Sequence, residues 1–198
     1  MGGSFAAPAL RVSTRWPMSL ASASSGATDT TMSPIFLDFE ASSLGARSWP
    51  IEIGIAWLEG DEVRTRAALI RPHESWPAGG WSRESEALHG ISRGALRQAE
   101  PAELIARRFV EQLKGRQVVS DAPEFDRFWL GRLLALLPDP PAAPLLDFDA
   151  LVHLLMSFEA RTAVYEHLLN AQAPHRAGGD SVRLARAWRA GMRAMHAR

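Results

Sequence analysis

Two carboxylates at a spacing of two, Asp38 and Glu40, lie inside the apolar run Ile35-Phe36-Leu37-Asp38-Phe39-Glu40. Such a run has strand character, and side chains at i and i+2 of a strand leave the same face. Carboxylates held side by side in a buried strand repel each other and are costly to desolvate. A cation between them removes both costs. Oxygen-only ligands suit hard divalent ions such as Mg²⁺ or Mn²⁺. Two more clusters extend the donor set. Asp126 follows Phe125 at the start of a helical pattern, and His175-Arg176-Ala177-Gly178-Gly179-Asp180 opens another. Phosphodiester hydrolysis needs an attacking hydroxide, neutralised charge around phosphorus and help for the departing oxygen. Two cations roughly 3.5–4 Å apart supply all three, and an acid pair, a lone acid and a His-x4-Asp are side chains suited to hold them.

In these motifs the chain resembles the DEDDh 3′–5′ exonucleases, which include the proofreading subunit of bacterial DNA polymerase III, ribonuclease T and oligoribonuclease. Leu37-Asp38-Phe39-Glu40-Ala41-Ser42-Ser43-Leu44 is similar to the family's first motif. Phe125-Asp126-Arg127-Phe128-Trp129-Leu130 is similar to the second, and His175 to Asp180 to the third. Glu52-Ile53-Gly54 and Leu88-His89-Gly90-Ile91-Ser92 resemble intervening patterns, so the likeness runs from about Pro34 to Trp188. It implies two metal ions, Mg²⁺ or Mn²⁺, with Asp38 bridging both. Glu40 and Asp180 complete the site of the ion that binds the attacking water, and Asp126 holds its ion partly through water. His175 takes the proton from that water, a role its pKa range suits. The family's sister group has tyrosine in place of histidine. Here the only tyrosine is Tyr165, and four positions on stands Leu169 rather than an acid.

The implied activity is a 3′–5′ exonuclease that shortens single-stranded DNA or RNA from its 3′ end and releases nucleoside 5′-monophosphates. The alternative is a catalytically weak nucleic-acid-binding or polymerase-associated module of the same fold. Substrate contacts are implied for Phe39, Ala41, Ser42 and Leu44, through backbone amides and through Leu44 wedged against the terminal base. Where the family commonly has Thr-Gly, this chain has Ser42-Ser43, and Ser43 places a side chain where the backbone needs an unusual φ. Gly178-Gly179 is read as a flexible pair that lets His175 swing over the metals.

Single residues weigh less. Asp126 could instead be a helix N-terminal charge, and Asp121, which directly follows a strand, competes with it; Asp126 is preferred because it follows Phe125 and precedes Phe128 and Leu130 in the register of the resembled motif. His89 is read as a turn and cap element, with Ser92 the N-cap before Arg93. Trp57, Trp129 and Trp188 fall in regular elements and are read as core. Trp49, Trp76 and Trp81 fall in loops, where an exposed ring could stack on a base.

Composition narrows the class. The 198 residues are 46% hydrophobic, enough for one domain with a sizeable core. The absence of cysteine excludes disulfides and thiolate-bound zinc, and a cytoplasmic location is expected. No apolar stretch approaches membrane-spanning length, so no membrane partner is expected; a homodimer is left open. Net charge is zero, yet Arg176 to Arg198 holds six arginines against one acid, Asp180. Residues 1–33 are rich in Ala, Ser and Gly with no acid before Asp29. They are read as a disordered leader, with a transit peptide or a true start at Met32 as alternatives.

Residues 34–198 read as a single exonuclease domain. Strands are expected at Pro34–Phe39, Ile51–Leu58, Val63–Ile70, Gln117–Ser120 and Leu145-Leu146. Helices are expected at Pro101–Lys114, Phe125–Leu137, Asp147–Met156, Thr162–Leu169 and Ser181–Met195. A hairpin meander followed by alternating helices and strands predicts an α/β fold. Among proteins of the resembled family this is the ribonuclease H-like fold, an antiparallel three-strand meander plus parallel strands, flanked by helices.

Overall fold

The computed structural model describes residues 33–113 and 115–197. The segment read as a leader therefore lies outside the described residues except for Ser33. Thirteen elements follow in order: β1 (Ile35–Ala41), β2 (Pro50–Glu59), β3 (Glu62–Arg71), α1 (Arg83–His89), α2 (Arg93–Arg97), β4 (Glu100–Pro101), α3 (Ala102–Leu113), β5 (Val118–Ser120), α4 (Pro123–Leu134), β6 (Leu145–Asp147), α5 (Phe148–Leu155), α6 (Phe158–Asn170) and α7 (Ala177–His196). The sheet order is β4-β3-β2-β1-β5-β6. β1–β2 and β2–β3 pair antiparallel, whereas β1–β5, β5–β6 and β3–β4 pair parallel. The mixed sheet expected from the sequence is the one observed.

Strand alternation divides the core in two. Ile35, Leu37 and Phe39 of β1 join Ile105, Phe109, Leu130 and Leu133 of α3 and α4 on one face. Phe36 leaves the other face and joins Phe148, Val152, Val164, Leu184 and Trp188 of α5, α6 and α7. Asp38 and Glu40 continue the Phe36 row. The sequence thus aims both acids at the layer that contains α7.

Three small residues let α7 approach. A Cβ on Gly54 would lie 2.0 Å from the Ala177 carbonyl, and one on Gly178 would lie 2.7 Å from the Ala67 Cβ. Gly54 pairs with Asp38 on one side and Ala67 on the other. The first turn of α7 therefore rests directly on the sheet beside Asp38. Gly178 and Gly179 are helical residues of that turn, so the flexible hinge expected from them is not found. Close packing overrides their poor helix propensity.

Other departures are local. α4 begins at Pro123 rather than Phe125, because proline suits the first helical position. α6 begins at Phe158 rather than Thr162, capped by the Ser157 hydroxyl accepting from the Ala160 amide. β4 and α1 were not expected. His89 ends α1, its Nδ1 accepts from the Ile91 amide, and Gly90 follows at φ 68. Ser92 caps α2 as expected.

Candidate metal centre

Asp38, Glu40 and Asp180 come together, with one carboxylate oxygen of each lying within 4.8 Å of the others. β1 supplies the first two and the first turn of α7 the third. Asp126 reaches the same region from the opposite layer. The β1–β5 ladder pairs Ile35 with Val118 and Phe36 with Val119, and beyond it the Phe39 amide donates to the Asp126 carboxylate. The Ser120 hydroxyl donates to Asp126 and accepts from the Ala122 amide. Asp126 is 1% exposed, while Asp121 is exposed on the loop after β5.

The electrostatics of the cluster are those of charge without a counterion. Burial pushes the Asp38 carboxyl well above the usual range, and the charges of Asp126, Asp180, Glu40 and Asp121 push it further. Glu40 is raised to about 7, first by burial, then by Asp180 and Glu52, with Arg176 opposing. Asp126 is also raised to about 7 by burial, against the Ser120 hydrogen bond. Burial raises Asp180 too, opposed by the Arg176 amide that donates to it at 3.0 Å and by the neighbouring charges of His175 and Arg183. Neighbouring carboxyls that all resist ionisation form a donor set that a divalent cation would relieve. The residues fit a hard metal ion.

His175 precedes the helix at φ 51, in the left-handed region that costs a non-glycine residue about 1 kcal/mol or more. It is solvent-exposed, and its charge lowers the Asp180 carboxyl. What holds this corner is Glu52, buried on β2 opposite Glu40. It accepts from Arg176 Nε at 3.0 Å, from the Arg176 terminal nitrogen at 2.6 Å and from the Ala177 amide at 2.9 Å. A bidentate guanidinium–carboxylate pair and a helix-start amide together lock the entry to α7, and with it the backbone of His175 and Asp180. Glu52, Arg176 and Ser120 are the residues that sequence reasoning missed. The Glu52-Ile53-Gly54 pattern was the available signal for the first.

The four substrate-contact positions divide. Phe39 and Ala41 are buried in the core, and the buried Ser42 hydroxyl accepts from the Trp49 amide. The Ser42 amide donates to the Trp49 carbonyl and that of Phe39 to Asp126. Leu44 is 71% exposed beside the acids' strand. Ser43 has no positive φ, so the strain expected there is not found. Of the three loop indoles, Trp81 is half-buried and two are closed off. Trp49 and Trp76 are buried and stacked on each other, and Trp49 donates to the Pro77 carbonyl, so neither face is open to a base. Trp57 is half-buried with Arg66 and Arg116 over its ring.

This architecture has solved counterparts. The nuclease domain of 3′hExo, a DEDDh family member bound to rAMP, superposes with a TM-score of 0.58 at 16% identity, covering 81% of this chain and 92% of that one. A full-length 3′-exonuclease matches with a TM-score of 0.61 at 18% identity, over 86% of this chain and 63% of that one. Exonuclease X, in complex with 5′-overhanging duplex DNA, matches with a TM-score of 0.53 at 20% identity, over 80% and 90%. The fold is that of the DEDDh exonucleases. The chain spans less than two thirds of the full-length 3′-exonuclease, and 41% of an E. coli Exonuclease I solved with a dA16 oligonucleotide. No family model matches the sequence, and no curated protein matches it. Among the described residues no helix is long and apolar enough to cross a membrane.

Proposed function

We propose that this protein is a metal-dependent 3′–5′ exonuclease that removes nucleoside 5′-monophosphates from single-stranded nucleic-acid ends. The convergence of Asp38, Glu40 and Asp180 on one patch, with Asp126 beside it, carries the proposal. Charge supports it as well: these four acids would repel a phosphate on their own, so the cluster suits a phosphodiester only with cations between. Divalent cations bound there would neutralise the phosphate and lower the pKa of water.

The protein groups take distinct parts. Asp38, whose carboxyl feels the charges of all the other acids, would hold the cations, with Glu40 and Asp180 beside it. Ser120 and the Phe39 amide orient Asp126. His175, exposed at the rim next to the Glu52–Arg176 pair, would accept a proton from the attacking water. Leu44 offers an exposed apolar side chain for the terminal base. The fold neighbours were solved with a nucleotide, rAMP, and with nucleic acids, dA16 and overhanging duplex DNA, which supports the substrate class.

Product analysis tests the proposal. Digestion of a linear strand should yield nucleoside 5′-monophosphates and leave a circular single strand intact. Recovery of 3′-monophosphates, or nicking of the circle, would contradict it.

A further inference from the structure

A second cationic site lies on the far side of the α7 entry. A cleft of about 260 Å³ opens between the end of α6, the loop that leads to His175, the first half of α7 and Thr65 of β3. Its lining includes His167, Gln172, Pro174, Gly179, Arg183 and Arg186. Arg183 donates to the carbonyls of Ala171 and Leu168, which close the end of α6 but carry no formal charge. Among the described residues neither Arg183 nor Arg186 forms an ion pair. Arg189, one turn on, donates to the Asp61 carbonyl, and Arg193 pairs with the Asp61 carboxylate. The positive field is felt inside the cleft: with burial, the charges of Arg186, Arg189 and Arg183 hold the His167 imidazole below its usual pKa. A concave site with two guanidinium groups, an imidazole and a side-chain amide, and no carboxylate among its lining residues, is built for an oxyanion.

We infer that this cleft binds a phosphate group, and that the group is a backbone phosphate of the nucleic-acid strand upstream of its 3′ end. The choice of the strand as the phosphate's source rests on the nuclease reading; the presence of a phosphate site does not. Arg186 is six residues beyond Asp180, about 9 Å along the helix axis. The phosphate held there is therefore separate from the scissile one. Pro174 of the lining directly precedes His175, so an occupied cleft would also hold the loop that carries the proposed base.

The test uses the full chain and the half-buried Arg186. Binding of ten-nucleotide and two-nucleotide single strands is measured with Ca²⁺ in place of Mg²⁺, so that the acids stay neutralised, and strand length is checked after each titration, for wild type, Arg186→Ala and Arg186→Lys. Arg186→Ala should weaken the ten-mer about three- to tenfold whatever its sequence. It should also reduce the slope of log K against log salt by about 0.7, the value for one phosphate contact on a single strand. The dinucleotide should be unaffected, and Arg186→Lys should restore the slope. In parallel, inorganic phosphate is titrated while the His167 ring protons are followed by NMR. A shift in wild type that is absent in Arg186→Ala, with ten-mer affinity unchanged, would keep the phosphate site and give it a free-phosphate ligand. Unchanged ten-mer affinity together with an unresponsive His167 would overturn the inference. Turnover by Arg186→Ala at saturating strand and Mg²⁺ separates the two claims. Intact turnover with no binding defect and an unresponsive His167 removes only the cleft, and a binding defect in a protein that never hydrolyses removes only the nuclease reading.

Discussion

At Asp38 the chemistry of catalysis and the energetics of folding pull in opposite directions. The side chain is half-buried, and desolvation together with four other carboxylates raises its pKa. Asp38→Asn keeps the shape and removes one repelling charge. It should raise the melting temperature of the metal-free protein at pH 8 by several degrees, corresponding to about 1 kcal/mol or more. The same change should abolish hydrolysis and the stabilisation by Mn²⁺, which calorimetry with and without metal would show. Asp126→Ala should be equally inactive, whereas Asp121→Ala should retain most activity. The reverse order would reassign the fourth acid. His175→Ala should lower kcat by about 10²–10⁴-fold while leaving metal-induced stabilisation unchanged. Near wild-type turnover in His175→Ala would place the base elsewhere. The acids and the histidine were legible in the sequence because each stands in a short local pattern. Glu52 and Arg176 were not, because their meaning is a contact across 124 positions. Ser120 acquires its role only when α4 folds back and brings Asp126 to it.

Between elements, the decisive contact is the first turn of α7 on β2 and β3. Gly54→Ala puts a Cβ 2.0 Å from the Ala177 carbonyl, against backbone that cannot step aside cheaply. A loss of about 1–3 kcal/mol is expected, with a larger fractional loss of activity, since Asp180 moves with the helix. Gly131→Ala in α4 meets nothing within 4 Å and should be neutral or stabilising by about 0.5–1 kcal/mol. Thermal melts of the two variants make the comparison, and equal stability would remove the close approach of α7 from the account. The long strands and helices were legible from periodicity. A two-residue strand such as β4 and a seven-residue helix such as α1 are too short to show a period. The α7 start was misplaced because two glycines read locally as a loop, and only the sheet beneath them makes them helical.

For the molecule as a whole, the clustered acids couple stability to pH and to metal. Glu40 and Asp126 titrate near 7 in the folded protein and near 4 when unfolded. Between those values the folded state binds more protons than the unfolded state, so the metal-free protein loses stability as pH rises from about 4.5 to about 7. Metal ions bind the deprotonated form, and they should raise the melting temperature strongly at pH 8 and little at pH 5. A melting temperature that rises with pH over this range in EDTA would contradict the charge assignment. The six-stranded sheet does not itself decide the reaction, because one fold serves many chemistries. The central claim is that these acids and their cations cut nucleic acid from the 3′ end. It is tested most directly by incubating a 5′-labelled single strand with the protein in Mg²⁺ and in EDTA, alongside Asp38→Asn. The account predicts a ladder of progressively shorter labelled products in Mg²⁺ with wild type only. Labelled mononucleotide appearing at once, cleavage that persists in EDTA or in Asp38→Asn, or an intact strand under all conditions would contradict it.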